Sequence, residues 1–286
     1  MPRSTVRLLR SKLLTLLTTT TLLTGVLAMP APAAAAVDDG LLLWYRLDEK
    51  SGAVAADASG HGRDGAVTGA AWTGGQGLTF DGTSTYVRAP DDLLADLDAV
   101  TVAFDVKIDS AQATPYFLYG FGNTDAATGY GNGYLFATGD GFRNAISLSN
   151  WTGEQNTRPA AGYNLTRNAW KHVAYTQTGT TGTLYEDGVA VATNTAISIL
   201  PGAIGGGATS ANYFGRSLYT GDRFLKGGMR DVRVYDRALS SDEVNTLATP
   251  VNEAAVAADG QALDLGDTTA LTANLSLPAT AANGSK

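Results

Sequence analysis

A period of two runs through most of this chain. Between about Asp38 and Ala248, apolar and polar residues alternate in short runs. Thr101 to Ile108 is the clearest: Val102, Phe104, Val106 and Ile108 fall on one side, and Thr101, Ala103, Asp105 and Lys107 on the other. Successive strand side chains point to opposite faces, so this spacing predicts an antiparallel strand with one buried and one wet face. Comparable runs recur at Leu41 to Leu47, Gly77 to Phe80, Thr85 to Arg88, Tyr116 to Gly120, Tyr134 to Ala137, Ala145 to Leu148, Lys171 to Thr178, Gly182 to Glu186, Val189 to Thr193, Asn212 to Gly215 and Gly228 to Tyr235. Many short strands joined by turns predict an all-β fold, a two-sheet antiparallel sandwich. The 34 glycines fit frequent tight turns, while a hydrophobic share of 44% is too high for a disordered chain.

Turn chemistry sharpens the reading. Asp187-Gly188 separates Leu184-Tyr185-Glu186 from Val189-Ala190-Val191, and a two-residue hairpin needs the positive φ that Asp-Gly tolerates. Ser240 stands three residues before Glu243, the spacing of a capping box. It predicts one short helix carrying Val244 and Leu247, with Pro250 opening a linker and almost no other helix.

Residues 1–36 combine Arg3, Arg7, Arg10 and Lys12 with an apolar run from Leu13 to Met29, then Pro30-Ala31-Pro32 and a string of alanines. A basic head, apolar middle and small-residue end predict a signal peptide cut after Ala36. No later stretch is apolar for long enough to span a bilayer, so the mature chain is expected to be secreted, with no membrane partner. The absence of cysteine excludes thiol catalysis and cysteine-ligated zinc. A formal charge of −7 argues against a nucleic-acid partner, which would require clustered Lys and Arg to neutralise phosphates.

No catalytic signature is visible. Sugar hydrolysis calls for a close pair of carboxylates, but Glu occurs only at 49, 154, 186, 243 and 253, with no Glu-x-Asp-x-Glu arrangement. His-Glu-x-x-His, Gly-x-Ser-x-Gly and phosphate loops are missing too. His172, on the same strand face as Trp170 and Ala174, reads as a packed residue, and His61 as an exposed turn residue. No catalytic residue is assigned.

A carbohydrate site uses aromatic faces against sugar C–H surfaces and polar groups against hydroxyls. The segment Tyr116 to Trp151 is richest in both: Asn123, Asp125, Tyr130, Tyr134, Arg143, Asn144 and Trp151 are candidate ligand contacts, interleaved with glycines that let loops approach closely. Arg216 is a further candidate, with Tyr219 beside it in another loop. Strand alternation gives a second reading for Phe117, Tyr119, Phe121 and Tyr134, in which they face the core. Trp151 stands apart, because Asn150 to Asn156 is polar and loop-like.

Five motifs follow one another along the chain: Asp57-Ala58-Ser59-Gly60-His61-Gly62-Arg63-Asp64-Gly65, Phe80-Asp81-Gly82, Trp170-Lys171-His172-Val173-Ala174, Tyr185-Glu186-Asp187-Gly188, and Asp231-Val232-Arg233-Val234-Tyr235 running into Ala238-Leu239-Ser240. In this order they resemble the laminin-G-like, concanavalin A-like jelly-roll domains of bacterial secreted proteins, over residues 37–248. The family usually carries Trp where this chain has Asp105, so an aromatic contact there is not carried over. Residues 249–286, with Leu263-Asp264-Leu265-Gly266-Asp267 and Asn283-Gly284-Ser285, resemble a linker and the opening of a bacterial immunoglobulin-like domain, which implies that the chain stops inside that domain.

The resemblance implies a non-catalytic, carbohydrate-binding accessory module with a polysaccharide or oligosaccharide partner. A glycoside hydrolase is the implied companion, as a downstream catalytic domain directed at arabinan or arabinofuranosides. The alternative is a protein-binding or adhesion module of the laminin-G type. Structural calcium is a further expectation. Asp57 and Asp64 lie in a glycine-rich loop able to turn oxygens inward, and the resemblance sets Asp231 beside them where first and last strands meet. The other reading of this loop stays open: Asp57 and Asp64 accept hydrogen bonds from turn amides.

Overall fold

The computed structural model describes residues 37–69, 71–74 and 77–249. The expected signal peptide and immunoglobulin-like segment lie outside these residues. The strands are β1 (Leu41–Tyr45), β2 (Val54–Ala55), β3 (Gly65–Thr68), β4 (Ala71–Trp72), β5 (Leu78–Asp81), β6 (Tyr86–Arg88), β7 (Ala99–Ile108), β8 (Phe117–Thr124), β9 (Gly131–Thr138), β10 (Arg143–Ser147), β11 (Gln155–Thr157), β12 (Trp170–Thr178), β13 (Thr181–Glu186), β14 (Val189–Asn194), β15 (Tyr213–Phe214) and β16 (Lys226–Tyr235). A 3₁₀ segment spans Pro201–Gly207, and helix α1 covers 241–249. The first sheet runs β14-β13-β12-β7-β16-β5-β4 with β1 also on β16; the second runs β11-β10-β9-β8-β15-β6-β3-β2. The strand pairs are antiparallel throughout, giving the expected two-sheet sandwich. The period-two reading located the long strands and passed over β2, β3, β4 and β11, which are two to four residues long and too brief to show a period.

Between the sheets lies one core. Leu43 and Tyr45 of β1, Val102, Phe104 and Val106 of β7, Val173 and Tyr175 of β12 and Val232 and Val234 of β16 face Tyr119, Phe121, Leu135 and Phe214 of the second sheet. Removing apolar side chains from water is the main favourable term in such a fold. Tyr119 and Phe121 stack, and Phe214 meets Phe121 edge-on. The Asp187-Gly188 turn has the expected left-handed backbone, with φ of 51° and 80°, and pairs Glu186 with Val189.

The opposite side of β7 departs from expectation. Thr101, Ala103 and Asp105 are 0%, 0% and 5% exposed, so of that row Lys107 alone is wet. The capping box explains this: Ser240 N donates to Glu243 and Glu243 N to Ser240 Oγ. The helix it starts lays Val244 and Leu247 against Ala103, Ala174, Tyr185 and Tyr235. Thr101 Oγ1 donates to the Arg237 carbonyl at 2.7 Å and accepts Leu239 N at 2.9 Å. Asp105 is buried because it is paired: Oδ1 is 2.9 Å from His172 Nδ1, and Arg230 Nε donates to Oδ2 at 3.0 Å. His172 is fully buried, as its strand position implied.

Candidate functional site

The outer face of the second sheet carries a second, ring-rich apolar cluster that includes Phe117, Tyr134, Phe136 and Leu218, with Tyr213 and Tyr219 against it. Three loops converge there. The first is the β8–β9 turn, where Asp125 Oδ1 accepts the amides of Ala127 and Thr128. This shapes a tight reversal whose last residue, Tyr130, stands in solvent. The second joins β10 to β11 and presents Trp151; it is tied to β9 by Gly133 N donating to the Ser149 carbonyl at 2.8 Å. The third follows β15 and carries Tyr219, fastened by Thr220 N donating to the Gly129 carbonyl at 2.9 Å.

Glycine makes the convergence possible. A Cβ at Gly131 would lie 2.6 Å from the Tyr219 ring, and one at Gly129, whose φ is 72°, would lie 2.4 Å from Thr220 Oγ1. As a result Tyr130, Trp151 and Tyr219 form a triad with ring centroids 5.3, 5.9 and 6.2 Å apart. Trp151 is 57% and Tyr130 47% exposed. Flat apolar rings held in solvent by neighbouring rings form a surface on which another flat, partly apolar molecule can rest.

Below the triad is a cleft of about 200 Å³ lined by Phe117, Tyr134, Phe136, Arg143, Trp151, Glu154, Tyr219 and Asp222. Arg143 lies over the Phe136 ring at 4.8 Å and pairs with Glu154 at 2.7 Å. The Tyr134 hydroxyl donates to Glu154 Oε1 at 3.1 Å and accepts from Tyr219 OH at 3.5 Å. Burial drives the Tyr134 phenol far above the usual tyrosine range, so it is a neutral hydroxyl at any physiological pH. Burial also raises the Asp222 carboxyl, against a hydrogen bond from Ser217.

Four of the eight candidate ligand residues therefore meet: Trp151, Tyr130, Tyr134 and Arg143. The other four do not join them. Asn144 is buried on the inner side of β10 with its amide on the Tyr119 hydroxyl, because alternation sets it opposite to Arg143. Asn123 donates to the Ala208 carbonyl and accepts Ser210 N, tying β8 to a neighbouring loop. Asp125 shapes the turn rather than facing the cleft. Arg216 is enclosed by the rings of Tyr86, Tyr213 and Phe224 at 4.5 to 5.0 Å, a satisfied cation–π cage.

The sequence reading missed Glu154, Asp222, Phe117 and Phe136. Glu154 sits in the polar loop that singled out Trp151, but the search for paired acids required nearby positions on one strand. Glu154 and Asp222 are brought to one cleft by the fold alone.

The expected calcium ligands do not form a cage. Asp57 already accepts four hydrogen bonds, from Trp44 N, Ser59 N, Ser59 Oγ and Arg63 N. Against the penalty of burial, these donors hold its carboxyl below the usual range. Asp64 accepts Asp57 N, while Asp231 accepts the Trp44 indole at 2.6 Å and Arg233 Nε at 3.0 Å. Among the described residues no group of three or more His, Cys, Asp or Glu is placed to hold a metal. In this geometry the aspartates of the loop cap turns, the second of the two readings. Asp231 owes its position to a bulge in β16, where Arg230 faces Asp105 and Arg233 faces Ala103, leaving Asp231 at φ 48°.

Two stacked antiparallel sheets with loops gathered over one outer face define the concanavalin A-like class. A family model described as the concanavalin A-like lectin/glucanases superfamily, Laminin_G_3, matches residues 81–245, more than half of the chain, and the chain belongs to that family. Among solved structures, it is similar to domain 4 of AbnA, an extracellular GH43 arabinanase from Geobacillus stearothermophilus, solved with arabinotriose. That match has 19% identity and a TM-score of 0.57, covering 73% of this chain and 98% of that one. A mutant of Trypanosoma rangeli sialidase matches at 19% identity and TM-score 0.56, with 77% of this chain covered but only 34% of the sialidase. The binding domain of botulinum neurotoxin serotype D/C matches at 13% identity and TM-score 0.55, covering 76% of this chain and 53% of that domain. At such identities the likeness is one of fold. No curated protein matches the sequence.

Proposed function

We propose that this domain is a secreted carbohydrate-binding module that holds a polysaccharide or oligosaccharide without transforming it, and that it serves a larger extracellular glycoside hydrolase. The carrying observation is the exposed triad of Tyr130, Trp151 and Tyr219 beside a cleft lined by Arg143, Glu154 and Asp222. Rings meet the apolar face of a sugar, while the charged groups hydrogen-bond its hydroxyls. An arabinan-type ligand and an arabinanase companion are supported by the AbnA domain, which was solved with arabinotriose. Weak affinity suffices for a tethered module, because linkage raises the local concentration of the partner at the substrate surface. Secretion is supported by the basic and apolar pattern of residues 1–36. No helix among the described residues is long and apolar enough to cross a membrane.

One observation favours hydrolysis as a second reading, since Glu154 and Asp222 line the same cleft. Against it, Glu154 is already engaged by Arg143, Tyr134 and Asn156. A general base or nucleophile needs a free lone pair toward substrate. Adhesion to another protein is the third reading. It calls for a broad apolar patch, whereas the exposed large apolar side chains outside the triad, Val54, Leu148, Val189 and Leu200, come from four different segments of the chain. A glycan array combined with a reducing-sugar assay on the same protein separates the three. Retention on a glycan without release of sugar is expected. Release of sugar that Glu154→Gln or Asp222→Asn abolishes would establish hydrolysis instead, and no retention on any glycan would remove the carbohydrate reading.

A further inference from the structure

Among the described residues, the outer face of the first sheet is covered over only part of its area. Helix α1 packs where Ala103, Ala174 and Tyr235 lie. Farther along the same face, strand register sets Thr79 of β5 opposite Gly228 of β16, Gly228 opposite Lys107 of β7, and Lys107 opposite Trp170 of β12. The neighbours of these residues along each strand, Leu78, Phe80, Val106, Ile108 and Met229, point into the core. The row Thr79, Gly228, Lys107, Trp170 therefore faces outward.

This row has a gap in its middle. Gly228 brings no side chain, and a Cβ there would lie 3.0 Å from the Trp170 ring. Around the gap opens a cleft of about 590 Å³, lined by Thr79, Lys107, Asp109, Asn168, Trp170 and Lys226 among others. Small-molecule sites span about 300–1,000 Å³. The indole at its wall is fixed from behind: Arg230 lies over the Trp170 ring at 4.3 Å, and Arg230 is held by Asp105, which is held in turn by buried His172. A ring anchored through a partly buried charged chain gives up little freedom when a ligand rests on it.

The polar groups of the cleft are balanced and partly idle. Lys226 lies 3.8 Å from Asp109, and Asp81 is consumed by Thr83, Ser84 and Thr85. Among the described residues, neither Lys107 Nζ nor Asn168 Nδ2 has a hydrogen-bond partner. An anionic ligand would meet Asp109, and a cationic one Lys107 and Lys226. An uncharged polyhydroxyl ligand can accept from the lysines and the amide, donate to the carboxylate and lay a C–H face on the indole.

We infer that this cleft is a second carbohydrate-binding site, taking an uncharged oligosaccharide independently of the Trp151 platform, so that one domain holds two glycan segments on opposite outer faces. The ligand class rests on the reading proposed above; the site itself rests on the glycine gap, the anchored indole and the idle donors.

The test uses the four tryptophans of the chain, Trp44, Trp72, Trp151 and Trp170, as separate reporters. The ¹⁵N-labelled protein is titrated with arabinotriose, xylotriose and cellotriose while the indole N–H signals are followed. With at least one of the three, the Trp151 and Trp170 signals are expected to move along separate isotherms, with Trp44 and Trp72 still. Trp151→Ala should leave the Trp170 isotherm in place. Lys107→Ala, an exposed change, should weaken it about fivefold or more and leave that of Trp151 unchanged. Gly228→Ser, which fills the gap, should weaken it likewise. A Trp170 signal that stays still for all three sugars overturns the second site, whatever Trp151 does. Loss of both isotherms in Trp151→Ala overturns its independence. Movement of Trp170 with Trp151 still upholds the second site and removes the platform.

Discussion

Replacing Trp151 by alanine removes the most exposed ring of the triad, and the size of the effect follows from its surroundings. The residue is 57% exposed, and a tryptophan offers up to about 250 Å², so about 140 Å² of it faces water. A sugar laid on one ring face covers about half of that, ~70 Å². At ~25 cal/mol per Å² this burial is worth about 1.7 kcal/mol, roughly 15-fold in Kd. The fold should barely respond. Trp151 contacts the rings of Tyr130 and Tyr219, worth about 1 kcal/mol in all, and a domain of this size loses about 2–4 °C in Tm for such a change. Affinity electrophoresis in gels cast with the polysaccharide that the wild type binds, together with a thermal melt, reads both quantities. Trp151→Phe should recover most of the retention, because a ring face remains. Unchanged migration of Trp151→Ala in every retaining gel would refute the platform. A fall in Tm above about 8 °C would show that the ring belongs to the fold rather than to a ligand.

The calcium expectation predicts a rise in Tm with the ion and the turn-capping geometry predicts none; melting with and without a chelator should give the same midpoint, and a drop of several degrees on chelation would show a bound ion. Gly131→Ala should push the Tyr219 ring aside, costing about 1–3 kcal/mol by overpacking and weakening glycan retention; a variant with wild-type melting and retention would show that this close approach is dispensable. The hydrogen bonds of Arg237 lower the Glu243 carboxyl from 4.5 to about 2. A depressed carboxyl contributes stability above pH 4.5, lost as pH falls toward 2. After allowance for solvent screening, the Tm of the wild type should lose the equivalent of about 1 kcal/mol over that window, and Glu243→Gln should show a flatter acid limb. Equal slopes for the two proteins would remove the pair from the account.

How far the sequence reaches differs between scaffold and site. The long strands announced themselves because burying one face imposes a period of two, and the Asp187-Gly188 hairpin and the Ser240/Glu243 cap because their chemistry is local. What decides the wet side of β7 is not local: Thr101 is met by Arg237 and Leu239 and Ala103 by the helix that follows them, some 140 residues later. Asp105 shows the same limit, since its charge is tolerable in a buried place only because β12 and β16 bring His172 and Arg230 to it. At the site, alternation separates Arg143 from Asn144, so a reading of that pair by residue type alone credits both. The strand reading of Tyr134 as a core residue and its reading as a ligand contact are both partly right: it is buried, but on the outer face, beneath Tyr219.

The two outer faces of the sandwich show why aromatic side chains and glycines occur together here. A sheet face left bare would expose an apolar strip, and this chain covers the two faces by different means. On the first sheet, α1 covers the part where the side chains are small, Ala103 and Ala174, so the helix can sit close. The remaining part holds a glycine and an ion-anchored indole that no helix among the described residues covers. On the second sheet, three loops replace the helix. They reach the face because Gly129 and Gly131 permit contact with Thr220 and Tyr219. A helix buries its apolar stripe against the sheet and leaves no room, whereas loops bridged by rings leave a cleft between them. Open space therefore arises where the covering is incomplete or irregular, and the two clefts described above each carry a tryptophan at the edge. The partial exposure of these indoles, each beside a charged or ring partner that fixes its plane, is the arrangement that a ligand with an apolar face requires.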